Sequence, residues 1–241
     1  MKTIVNLAFV LILLLCIWNG YKRGIILSIA SILAIIISLY GADLLSKTFS
    51  YEVVDALRPF ASGYLESTIN SKVRAEFHIE GSSTSSLSVR DFLDQNPDQT
   101  EEFCTRTFES IGIIDKSARR LAADAQTYAR EHETDIRDSM TEVLCLRISY
   151  IGGFVLAFLM ILILLTVIGN MPNLAFKIPN LDLLNDIGGA LLGLAQGAMF
   201  CFIVAWVLKF TGIIIPQQEL AETGFAAMFV RMDPLGGILG I

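Results

Sequence analysis

The chain has 241 residues, 54% of them hydrophobic and only 17% charged, with a mean hydropathy of +0.60 and a formal net charge of −6. Soluble domains carry about 25% charged residues, so the composition excludes an ordinary soluble globular protein. The acidic balance argues against nucleic-acid binding, which needs a basic patch.

Ile4 to Trp18 is almost unbroken hydrocarbon, and Ile25 to Leu45 is nearly so. Each run is close to the roughly 17–25 helical residues that cross a hydrocarbon core about 30 Å thick. Gly20, Tyr21, Lys22, Arg23 and Gly24 lie between them and leave no room for a soluble element. The reading is a helical hairpin, residues 1–45, with a tight turn at one membrane face. Gly20 and Gly24 permit the turn, because glycine tolerates positive φ. Cys16-Ile17-Trp18-Asn19 offers no small-residue cleavage site, so the first run is expected to stay as a span rather than leave as a signal peptide.

Residues 46–147 form an acidic segment with 12 Lys/Arg against 18 Asp/Glu, which carries the whole net charge. Val53, Val54, Leu57, Tyr64, Leu65, Ile69 and Val73 recur at helical spacing. A Ser-rich break follows at Gly81–Ser86, and a short helix is predicted over Pro97–Ile111 with Gly112 at its end. From Asp115 the apolar positions Ala118, Leu121, Ala125, Tyr128, His132, Ile136, Met140 and Val143 predict one helix entering the third span unbroken. On that stripe His132 is expected to be packed rather than to ligate a metal.

Residues 148–208 hold two further apolar runs, Ile148–Ile168 and Ile187–Leu208. The connector between them contains Pro172 and Pro179, each of which biases the residue before it toward extended structure. The connector is too apolar for open water and is expected at the interface or partly within the bilayer. Gly189, Gly193 and Gly197 make a smooth stripe along which another helix can approach closely. Another span and a second copy of the chain are both open as its partner. Residues 209–241 form a tail whose weakly amphipathic stretch, Leu220–Val230, is expected at the membrane surface. The expected fold is therefore all-α and polytopic: four transmembrane helices, with a helical soluble domain inserted between spans two and three.

Cys104 and Cys145 both lie in the middle segment, and their spacing leaves a bridge between them open. No metalloprotease, nucleophile-elbow, phosphate-loop or dinucleotide fingerprint is present. The expectation is a protein with no catalytic residues, cofactor or metal. Asp43 is the one acidic residue inside an expected span, near enough its end to reach the interface. By the positive-inside rule Lys22 and Arg23 hold the hairpin turn in the cytoplasm. That places the middle domain outside, although Lys2 and Lys209 nearly balance the count.

Two anchors carry a resemblance. One is Gly20-Tyr21-Lys22-Arg23-Gly24-Ile25 after a short first span. The other is Ile178-Pro179, then Leu184-Asn185, then the glycines from Gly188 to Gly197. In this order they resemble the CvpA family, bacterial membrane proteins named for a requirement in colicin V production. The middle segment is longer than in compact members, and Gln196 stands where many carry a basic residue. The resemblance implies the bacterial cytoplasmic membrane and a process, toxin production or export, without a biochemical mechanism. Three roles follow as expectations: an accessory to toxin or peptide export or to envelope homeostasis; a small channel or transporter formed by an oligomer; and a scaffold binding a protein through the acidic domain. The partners expected are the lipid bilayer, a second copy, and a protein on the middle domain.

Overall fold

The structure is a computed structural model that describes residues 2–79, 86–113, 115–170, 182–210 and 224–232. Among them stand α1 (Lys2–Thr68), α2 (Arg74–Glu76), α3 (Ser86–Gln95), α4 (Thr100–Ser110), α5 (Asp115–His132), α6 (Ile136–Asn170), α7 (Asp182–Phe210) and α8 (Gly224–Met232). A π-helical turn, Ile69–Val73, joins α1 to α2, and a 3-10 turn, Pro97–Gln99, leads into α4. The break expected at Gly81–Ser86 falls, except for Ser86, outside the described residues. The Pro172 and Pro179 connector lies outside them altogether.

Among the described residues three helices are long and apolar enough to cross a membrane: Thr3–Glu76, Ile136–Gly169 and Leu183–Leu208. The first two expected spans both lie on α1, which is broken at Gly24 by the non-helical pair φ 76°, ψ −178°. The fold divides into two compact units.

The first unit contains residues 1–48 and 151–208 together with α8. Its surface is inside out for water: Leu7, Leu14, Trp18, Leu33, Leu156 and Leu191 are all exposed. Exposed apolar surface on this scale marks contact with lipid. The hydroxyls of Ser31 and Ser38 donate to the carbonyls of Leu27 and Ala34, one turn back, at 2.9 and 2.7 Å. Polar groups thereby find partners without water, as a hydrocarbon medium demands. Asp43 accepts from Lys47 one turn further on, at 2.9 Å. The second arm of α1 packs on α6, where Gly41 meets Ile161 and Gly153 meets Ser46. Helices α6 and α7 join through Phe154 and Trp206, with ring centroids 5.1 Å apart. Helix α8 lays Ala226 and Phe229 on Phe9, Cys201 and Ala205, and the Ala226 N–H donates to Asn6 Oδ1 at 3.0 Å.

The second unit, centred on residues 49–150, has an ordinary water-excluding core. Val73, Phe103, Phe108, Leu121 and Met140 are fully buried there. Phe77 packs edge-on against Phe103 at 5.6 Å and Phe92 at 6.2 Å. Arg58 bonds Glu142 at 2.8 Å, tying α1 to α6. Cys104 and Cys145 are buried free thiols; burial first, then Glu101, pushes the Cys104 thiol up to about 12.

One expectation is overturned here. The helix from Asp115 does not run on into the third span: α5 stops at His132 and α6 starts at Ile136. Glu133 adopts the left-handed conformation at φ 52°. The Thr134 N–H reaches back to the Ala129 carbonyl at 3.2 Å, which closes α5 as a Schellman-type end. Asp135 then caps α6 by accepting the Arg137 N–H at 2.9 Å. The chain folds back, because Arg147 bonds Asp124 at 3.0 Å although a continuous helix would hold them about 34 Å apart. His132 is consequently exposed at the end of α5, stacked on Tyr128 with centroids 4.0 Å apart. The apolar period continued through the break because both helices feed the same core.

Candidate functional site: the Gly24–Asn185 junction

The bend in α1 is where the sequence motifs meet. Ser28 Oγ lies 3.5 Å from the Gly20 carbonyl oxygen, though eight residues of straight helix span about 12 Å. The chain must therefore turn back at Gly24. A turn at this position ends one run of i→i−4 bonds and begins another, which leaves the first N–H groups of the new arm without helical partners. The Ile25 N–H is one of them. It donates instead to Asn185 Oδ1 at 3.0 Å, across 160 residues. Asn185 is buried, only 6% exposed. It acts as an N-cap supplied by another helix.

Gly24 is required twice over. Its φ suits glycine, and a Cβ there would strike the Asn185 amide, with Asn185 Oδ1 only 2.7 Å away. The stripe of α7 completes the junction. A Cβ on Gly189 would stand 2.8 Å from Gly24 Cα, and one on Gly193 would stand 3.1 Å from Ile17 Cα. At Gly197 the nearest atoms are Leu13 Cδ2 at 3.0 Å and Cys16 Cβ at 3.1 Å. Gly20 answers from the other side, 2.8 Å from Gly193 Cα by the same measure. Ser28 Oγ also approaches the Gly189 carbonyl at 3.5 Å. The stripe is thus covered by the first arm of this chain and is not free for a second copy.

Tyr21, Lys22 and Arg23 occupy the last turn before the bend. Tyr21 and Lys22 are exposed, and the Lys22 ammonium sits 4.9 Å over the Trp18 ring. Trp and Lys flanking a span are interfacial anchors. Of the three connector residues singled out by sequence, only Asn185 is described, and it belongs to the junction. Sequence reasoning missed Ser28, whose signal would have been its place four residues past Gly24, in line with Gly20. It also missed the capping role of Asn185. Among the described residues no group of three or more His, Cys, Asp or Glu is placed to hold a metal ion.

The junction combines a kinked apolar hairpin with a glycine-striped helix. Residues 117–234, just under half of the chain, match the family described as Colicin V production protein. The chain carries a Colicin V production (CvpA) family domain. The match takes in Asn185 and the Gly189–Gly197 stripe, while the Gly20–Gly24 turn lies N-terminal to it. The chain is also 28% identical over 88 residues to the uncharacterized transmembrane protein YshB of Bacillus subtilis (strain 168). That alignment covers 36% of this chain and 50% of YshB, so the chain spans about half the length of the curated relative it matches. No solved structure matches. The family match and the three apolar helices together describe a membrane protein that carries this domain.

Replacing Asn185 with leucine keeps the bulk and removes the acceptor. The Ile25 N–H is then buried without a partner, which costs about 1–3 kcal/mol. The expected result is a lowered unfolding temperature in detergent for Asn185→Leu, with Asn185→Asp closer to the parent because it keeps an acceptor. Equal melting of the leucine variant and the parent would remove the capping role.

Proposed function

We propose that the protein is a non-enzymatic, four-span protein of the bacterial cytoplasmic membrane that serves toxin or small-peptide production or export, or envelope homeostasis. The observation that carries the process is the Colicin V production match over residues 117–234. The turn at Gly24 supports four spans, because it makes each arm of α1 a membrane-length helix in its own right. The polar groups of the junction support a structural role: Asn185 and Ser28 hold backbone to backbone. On this reading the hairpin turn with Lys22 and Arg23 is cytoplasmic, and the acidic domain faces outward.

The test is deletion of the gene in a strain secreting a colicin-type peptide, with complementation by the intact chain. Extracellular toxin activity is expected to fall while the intracellular peptide persists. Unchanged secretion together with unchanged detergent sensitivity would overturn both roles. The span count is tested by single cysteines at Tyr21 and Ser83 in intact cells, probed with a membrane-impermeant maleimide. Labelling of position 83 without lysis, and of position 21 only after it, is the expected pattern.

A further inference from the structure

The second unit holds a cleft of about 520 Å³ where α5 ends and α6 begins. That lies within the roughly 300–1,000 Å³ of small-molecule sites. Arg90, Leu93 and Asp94 of α3 line one side, and Gln126, Ala129 and Arg130 of α5 line the other. Glu133, Asp135 and Ile136 close it at the break between α5 and α6. Leu93 is buried, and Ala129 and Ile136 are half-buried, so the floor is apolar. Arg90, Asp94, Arg130 and Glu133 are exposed, so the rim is charged.

Two of these charges are left open. Arg90 pairs with Asp94 at 3.9 Å. Asp135 is held by Arg137, through its N–H at 2.9 Å and its guanidinium at 3.8 Å. Arg130, by contrast, donates to the neutral Gln126 amide at 3.2 Å. Among the described residues no ion pair reaches Arg130 or Glu133. Residues three apart on a continuous helix would meet, but Glu133 leaves the helix at its left-handed φ of 52°. The Nε2 of Gln126 adds an independent observation. It is buried in the wall with no hydrogen-bond partner, which native folds rarely tolerate without a reason.

One open cation, one open carboxylate and an apolar floor select by charge. A simple anion meets Asp94, Glu133 and Asp135, and a simple cation meets Arg90 and Arg130. We infer that the cleft binds a small zwitterion with an apolar side chain, either an α-amino acid or a dipeptide. Its carboxylate takes Arg130 in a charge-assisted bond, and its ammonium takes Glu133. Its side chain lies on Leu93, Ala129 and Ile136. Drawing Arg130 to the ligand releases the Gln126 amide, whose terminal torsion is soft, to turn its Nε2 toward an acceptor. Every lining residue belongs to the second unit, so the site depends on neither the span count nor the export role proposed above.

The test is isothermal titration calorimetry of the purified full chain in detergent, with leucine and with alanyl-leucine. At least one is expected to bind with a Kd of about 1 mM or tighter. Binding of leucine alone assigns an amino-acid site, and preference for alanyl-leucine assigns a dipeptide site. N-acetyl-alanyl-leucine and alanyl-leucine amide each lack one charge and are expected to bind about tenfold more weakly, as the loss of one bond to a charged group implies. Arg130→Gln should weaken binding by about the same factor, and Ala129→Phe should abolish it by filling the floor. Lys116→Gln is the control, about 21 Å along α5 from Arg130, and should bind as the parent does. No heat with either zwitterion would overturn the proposal. So would equal affinity for the blocked peptides, or unchanged affinity in the Arg130→Gln chain. Circular dichroism checks that each variant folds, and toxin secretion reports separately on the export role.

Discussion

Gly193→Ile is expected to separate the first arm of α1 from α7 and to lower stability by about 3 kcal/mol, the upper end of ordinary overpacking costs. The size follows from what the new side chain meets. Its Cβ would stand 3.1 Å from Ile17 Cα and closer still to the Cys16 carbonyl oxygen. Both are backbone atoms within a helix, so no rotamer change relieves the clash. The helices must part, and the close contacts at Gly189 and Gly197 weaken with them. In lipid that loss is not offset, because tails are as apolar as the helix surface and association depends on close packing. Gly193→Ala should fall between parent and isoleucine. Gly152→Ile is the control, since Gly152 is exposed on α6 with open space around it. Thermal unfolding in one detergent compares them. Equal melting of the Gly193 and Gly152 isoleucine variants would show that the stripe does not hold the bundle.

Phe108→Ala is expected to cost about 3–5 kcal/mol, as large-to-small changes at fully buried aromatic positions do. Phe108 is 0% exposed in the core of the second unit, beside Phe103 and Leu121 in the same cluster. Deleting the ring removes its transfer energy and leaves a cavity that helices already tied by the Arg58–Glu142 and Arg147–Asp124 pairs cannot fully close. Urea titration followed by near-ultraviolet circular dichroism measures the change. Phe60→Ala, at a 79% exposed site, should leave the midpoint almost unmoved. A similar midpoint for both variants would mean that Phe108 is not in a packed core.

Much of the fold was legible because membrane helices follow a short rule: backbone polar groups must be satisfied within the segment. Long apolar runs such as Ile4–Trp18 and Ile148–Ile168 therefore declare themselves. The short helix expected over Pro97–Ile111 is present as a 3-10 turn followed by α4, and Gly112 closes it at φ 100°. The break after His132 was hidden for a physical reason. Periodicity reports which face is buried, and α5 and α6 bury the same face in one core. The signal that was available is local, in Thr134 and the capping Asp135.

The candidate site divides in the same way. Composition, the spacing of Gly20 and Gly24, and the four-residue repeat of Gly189, Gly193 and Gly197 were enough to mark a hairpin turn and a close-packing face. They left the partner of that face open. Only the tertiary structure decided that it is the chain's own first arm, and that Asn185 supplies the acceptor the bend at Gly24 leaves wanting. Spacing along one helix determines which residues share a face. Which face it meets depends on contacts between residues 160 or more apart, and a one-dimensional pattern carries no record of them.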